Sequence, residues 1–151
     1  MNEILLMLHV FFGVFCILAA VWIFVDVLHA GAANRSRIRI LSRLAAVAMW
    51  AAFIIAGYWY VTFYAVDKAI ILKGRWPFAH SFFMETKEHL VILLLLLTNY
   101  LPIVAMNNLA VNSGARRLML WTAALVVLLG LAMEGEGAVI ALGVKVSLLP
   151  K

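Results

Sequence analysis

Six ionisable side chains interrupt stretches that are otherwise apolar: His9 early in the chain, Glu85, Glu88 and His89 in its middle, and Glu134 and Glu136 near its end. Ionisable groups at membrane depth are costly and mark ligand, metal or proton sites. Glu85 and His89 are four residues apart, so a helix presents them on one face. His9, Gly13, Cys16 and Ala20 share another face, where small residues beside the imidazole let a neighbouring helix or a flat ligand come close.

Three chemistries suit these residues. Two histidines facing each other in a helix bundle, His9 and His89, are axial ligands for a b-type haem, with Lys87, Arg75 and Lys145 near the boundary to meet its propionates. A non-haem iron, copper, zinc or manganese ion is the alternative, with His9, Glu85, His89, Glu134 and Glu136 as its oxygen and nitrogen ligands and His80 as an accessory. A carboxylate–histidine proton path is the third. Glu134 and Glu136 lie about 200° apart on a regular helix. The glycines of Glu134-Gly135-Glu136-Gly137 predict a loosened or broken helix there, turning both inward. Asp26 and His29 belong elsewhere: His29 points about 200° away from His9 and closes the opposite end of the first helix. Asp26, beside a basic loop, is expected to pair with an arginine, and His29 to sit at an interface.

The elements that position these groups are membrane spans. Of 151 residues, 67% are hydrophobic and 13% charged, with a mean hydropathy of +1.08. A water-soluble domain is nearer half apolar and a quarter charged. Disorder and a nucleic-acid surface are excluded by the same numbers. The single cysteine, Cys16, excludes an internal disulfide framework and multi-cysteine metal sites. Charge-free apolar runs place spans near residues 4–28, 44–66, 85–107 and 117–144. The first has no basic start and no small-residue cleavage site, so it reads as a retained helix. The expected fold is therefore all-α: one integral membrane domain over residues 1–151, an antiparallel four-helix transmembrane bundle. A short interfacial segment around Trp76-Pro77 joins helices two and three, and its aromatics sit at headgroup level or cap a site between the helices.

His9 and His89 then stand at similar depth, of order 7 Å inside one boundary at ~1.5 Å per residue. Six basic residues fall on each side. Four arginines in the first loop (Arg35, Arg37, Arg39, Arg43), beside an N-terminus without any, place that loop inside and both termini outside.

The first helix, with Leu8-His9-Val10, Ala19-Ala20-Val21-Trp22 and Val27-Leu28-His29, resembles the opening helix of small bacterial four- to five-helix membrane proteins. Those are the haem-containing membrane protoporphyrinogen oxidase and the copper-resistance D-like domains. Glu88-His89-Leu90-Val91-Ile92-Leu93-Leu94 resembles their third helix, which opens with a lysine where His89 stands here. The resemblance covers about 50 residues, in two leucine-rich helical segments. It implies a haem ligand at His9 and a bacterial inner-membrane location. The missing lysine speaks against the oxidase activity and suits a second axial ligand instead.

The resulting expectation is a membrane b-type cytochrome that passes one electron to or from quinol or a redox partner protein. The alternatives are a metal-handling or metal-oxidising site and a non-catalytic subunit of a larger complex or homo-oligomer. The lipid bilayer is the partner common to all.

Overall fold

The computed structural model describes residues 2–149, which form four long α-helices: α1 (Asn2–Leu28), α2 (Arg35–Lys73), α3 (Glu85–Val104) and α4 (Ser113–Ser147). A one-turn π-helix, Ala79–Met84, runs directly into α3. There is no strand among the described residues. Each long helix, α3 taken with its π-turn, is long and apolar enough to cross a membrane. Met1, Pro150 and Lys151 lie outside the described residues.

The helices pack as a square in chain order. α1 lies against α2 and α4, and α3 against α2 and α4, while the backbones of α1 and α3 do not approach each other. Small residues make the close contacts: Ala19, Ala20, Ala45, Ala48 and Ala123 are all buried. Gly130 shows how tight the packing is, since a Cβ there would stand 2.7 Å from Ile17 Cγ1. The apolar side chains left outside, such as Phe11, Trp22, Val61 and Leu128, ring the exterior.

Two element boundaries differ from the sequence reading. α2 does not stop at Val66 but continues through Asp67 and Lys68 to Lys73. Charges end a lipid-compatible window without breaking a helix. Tyr64 and Ile71, seven apart and therefore on one face, are both buried and hold this last stretch against the molecule. The connection shrinks to Gly74–Phe78, and the interfacial segment becomes the π-turn. α4 also runs unbroken through Glu134-Gly135-Glu136-Gly137. A helical glycine costs about 1 kcal/mol, and the packing of Met133, Ile140 and Gly143 on both sides of the pair of glycines offsets it.

Two cores result. The larger lies between all four helices and is aliphatic, with Ile23, Leu101, Met119 and Val126 at its centre. The smaller joins the end of α2, the π-turn and the end of α4 through Tyr64, Ile71, Ala79, Met84 and Ile140, under Trp59, Tyr60, Trp76 and Phe83.

Candidate functional site

At the level of His9 the helix square encloses a cavity of ≈ 30 Å³. His9 and Gly13 of α1, Ala52 of α2, Lys87 and Leu94 of α3, and Gly130 and Glu134 of α4 line it. Its volume is that of about one water molecule.

Each polar group there is positioned by a neighbouring helix. His9 Nδ1 lies 3.0 Å from the Ala52 carbonyl oxygen. A carbonyl only accepts, so Nδ1 carries the proton and Nε2 of the neutral ring is left as an acceptor. Lys87 Nζ donates to the Met133 carbonyl at 3.0 Å. Its ammonium lies along α4, close enough to Gly137 that a Cβ there would stand 2.9 Å from Nζ. Glu134 and Glu136 are within electrostatic reach of Lys87, and so is His9. Yet among the described residues neither carboxylate comes within 4 Å of it. Glu134 Oε1 rests over Gly13, in space that any side chain there would take. Glu136 is half-buried, and its Oε2 is buried without a hydrogen-bond partner among the described residues.

His89 is not part of this centre. It is exposed, with its Nδ1 2.6 Å from the Glu85 carbonyl, and with Glu85 it lines an open groove of ≈ 380 Å³ that includes Ser81, Phe82, Thr86 and Leu90. The expectation that His9 and His89 face each other is corrected by helix geometry. Lys87, Leu94 and Leu101, seven apart, form the inward stripe of α3. A residue two positions after Lys87 points about 200° away. A haem between His9 and His89 therefore does not fit these residues: one imidazole is inside and the other outside, and the inner cavity is far smaller than a porphyrin. The five proposed metal ligands do not converge either. Glu85 and His89 share the outer groove, while His9 and Glu134 share the cavity. Among the described residues no group of three or more His, Cys, Asp and Glu is placed to hold a metal ion.

The accessory residues also part company. His80 is buried in the smaller core, its Nδ1 3.0 Å from the Tyr64 hydroxyl. Tyr64 stacks on Tyr60 at 5.1 Å, and Tyr60 is within electrostatic reach of Glu88. Arg75 is exposed on the connection after α2. Lys87, expected at the boundary, instead lines the inner cavity. It stands two positions before His89 and shares that cavity with His9. The signal was the buried seven-residue stripe that Lys87 begins.

At the other end of the square every polar side chain facing the interior is engaged. Asp26, buried, takes Arg37 Nε at 2.7 Å and Nη2 at 2.6 Å. Arg37 also covers the Trp22 ring at 5.9 Å. Arg39 caps α3 through the carbonyls of Ala105 and Met106, and Arg116 caps α1 through those of Val27 and Leu28. Asn34 closes the α1–α2 turn by donating to the Asp26 and His29 carbonyls and accepting from Gly31 N–H. His29 is exposed at this end.

The chain matches no family model, and no curated protein or solved structure matches it.

Proposed function

We propose that the chain is a multi-pass membrane protein with a one-sided, reversible proton-binding centre at His9, Lys87 and Glu134. In this reading the four helices cross the bilayer in alternating directions. The contacts of late α1 with early α2 (Asp26–Arg37) and of early α1 with mid-α2 (His9–Ala52) support that order.

The observation that carries the reading is the spacing of the charges. Three ionisable groups from α1, α3 and α4 surround room for one water, and none forms a direct ion pair with another. Groups serving only as interhelical glue satisfy each other at contact distance. Groups separated by the width of a water pass protons through it. Glu136, with its unpartnered oxygen, stands nearer the end of α4 and forms the approach. A proton arriving there crosses to the water and is held on Glu134 or on His9 Nε2, with Lys87 as the fixed positive charge.

The path ends at that point. His9 Nδ1 is committed to Ala52; beyond Cys16 the interior holds fully buried apolar residues such as Ala20 and Ile23, and the buried hydroxyls there, Thr98 and Thr122, donate to carbonyls of their own helices. The centre loads and unloads from one face, the outer one of a bacterial inner membrane if the arginine loops lie inside. Proton occupancy then acts on helix packing, because Lys87 and His9 each hold a backbone carbonyl of a neighbouring helix. No electron carrier or quinol is required for this, and either remains a partner through which loading would be used.

The test is pH-difference infrared spectroscopy on the protein in lipid nanodiscs. A protonated carboxyl band that appears on acidification in the wild type is expected to vanish in Glu134→Gln and to persist in His89→Ala. Identical difference spectra for wild type and Glu134→Gln overturn the proposal. So does a Soret band that sharpens on reduction and is lost in both His9→Ala and His89→Ala, because one haem would then join the two residues.

A further inference from the structure

Net charge is distributed unequally between the two ends of the helix square. At the end formed by the α1–α2 and α3–α4 connections stand six arginines (Arg35, Arg37, Arg39, Arg43, Arg116 and Arg117), no lysine and one acid, Asp26. The opposite end holds Arg75, Lys68, Lys73, Lys87 and Lys145 beside the other six acids and is close to neutral, so the net positive charge of the described residues gathers at the end with the six arginines. Three of these, Arg37, Arg39 and Arg116, have structural partners. Arg35 and Arg43 are exposed and have no hydrogen bond or ion pair among the described residues.

Arg35, Arg39 and Arg43 are four apart along the first two turns of α2 and so make one stripe. Arg39 locates it: its bonds to Ala105 and Met106 put the stripe beside the end of α3. Arg35 lines a cleft there with Asn107 and Asn108. Continuing along the same face of α2, Val47 and Trp50 are exposed, and across the seam so are Tyr100 and Ile103 of α3. Trp50 Nε1 donates to Asn99 Oδ1 at 3.1 Å and fixes the indole over this seam.

We propose that this seam binds an anionic phospholipid, its phosphate held by Arg35 and Arg43 and one acyl chain lying over Val47, Trp50, Tyr100 and Ile103. Guanidinium groups suit a phosphate because their planar donors meet two of its oxygens at once. Free phosphate would use the arginines alone. The unbroken passage from arginine stripe to exposed apolar seam commits the site to a lipid. The proposal rests on the reading of the chain as membrane-spanning, which alkaline carbonate extraction tests separately: release of the protein from membranes ends that reading whatever lipid binds in detergent.

The experiment is native mass spectrometry of the detergent-purified protein titrated with phosphatidylglycerol, phosphatidylcholine and soluble glycerophosphoglycerol. Phosphatidylglycerol is expected to bind well above the other two. A basic residue near an anionic surface contributes about a factor of five, so the double variant Arg35→Gln/Arg43→Gln loses about 25-fold. Arg117→Gln, which removes one of the same end's charges away from the seam, leaves the preference in place. Equal binding of the two lipids, an unchanged preference in the double variant, or equal binding of glycerophosphoglycerol overturns the proposal. An unaltered thermal midpoint in the double variant shows that its loss is of binding and not of fold.

Discussion

At the arginine end Asp26 meets Arg37 at 2.6 and 2.7 Å, and two further arginines close the carbonyl ends of α1 and α3. At the carboxylate end Lys87 meets a backbone carbonyl, Glu134 and Glu136 stand apart from it, and His9 holds a carbonyl of α2. The buried side-chain polar atoms without partners among the described residues, Trp59 Nε1, Glu136 Oε2 and Ser147 Oγ, are all on that side. Both ends face the same difficulty, charge next to an apolar core. One resolves it by direct contact, which fixes geometry. The other keeps its charges apart around a water-sized space, the arrangement that the proposed proton binding uses. The difference separates charges that hold the fold from charges that can do work.

The largest effect expected from this contrast belongs to Lys87→Met. The change removes a hydrogen bond from a charged donor, worth about 1.5–3 kcal/mol, and strips two half-buried carboxylates of their nearest cation. The thermal midpoint in detergent should fall by several degrees. Adding Glu134→Gln should restore part of the loss, since the neutral amide no longer needs the ammonium. Sites sharing one charge field couple by about 0.5–3 kcal/mol in such a cycle. Strict additivity of the two changes would show that Lys87 and Glu134 do not share a field and would break the comparison at its functional end.

Asp26→Asn should fall next. It removes two charge-assisted hydrogen bonds, but the Arg37 side chain is half exposed and water takes over part of what is lost. The midpoint should drop by less than in Lys87→Met, while the carboxyl band assigned to Glu134 stays unchanged. A change in that band would mean that the two ends are not independent.

How much of this was readable beforehand follows from what each residue depends on. The four long apolar helices were legible because a helix able to cross a membrane needs only a long apolar run, and the pairing of Asp26 with an arginine because a carboxylate beside a basic loop has few other choices. The extension of α2 to Lys73 was not, since Asp67 and Lys68 look like a boundary until Tyr64 and Ile71 are seen to bury one face. The site was half legible. His9 and Glu134 stood out as charges in apolar runs, and nothing in composition said that Lys87 and not His89 faces inward. That choice is set by rotation of α3, and two residues of sequence are more than half a turn. The glycines misled in the opposite direction: Gly135 and Gly137 looked like a break in α4, and packing on both sides keeps the helix whole.

The smallest change with a sharp outcome is Gly13→Ala. Gly13 is on α1, one turn beyond His9, and its missing Cβ is the space that Glu134 Oε1 occupies. Alanine is a better helix former than glycine by about 1 kcal/mol, and the atom it displaces is the far end of a flexible carboxylate, so the thermal midpoint should move little. The carboxylate must nevertheless leave the cavity mouth, which separates it from His9 Nε2 and from the water-sized space between them. The carboxyl band on acidification should shift or disappear in a protein of nearly unchanged stability. Gly130→Ala is the matched control in the same cavity, because its Cβ meets Ile17 and no charged group. It should cost more stability and leave the band where it was. If the two variants behave alike, the space beside Gly13 serves packing alone, and the distance that distinguishes the carboxylate end from the arginine end has no chemical use.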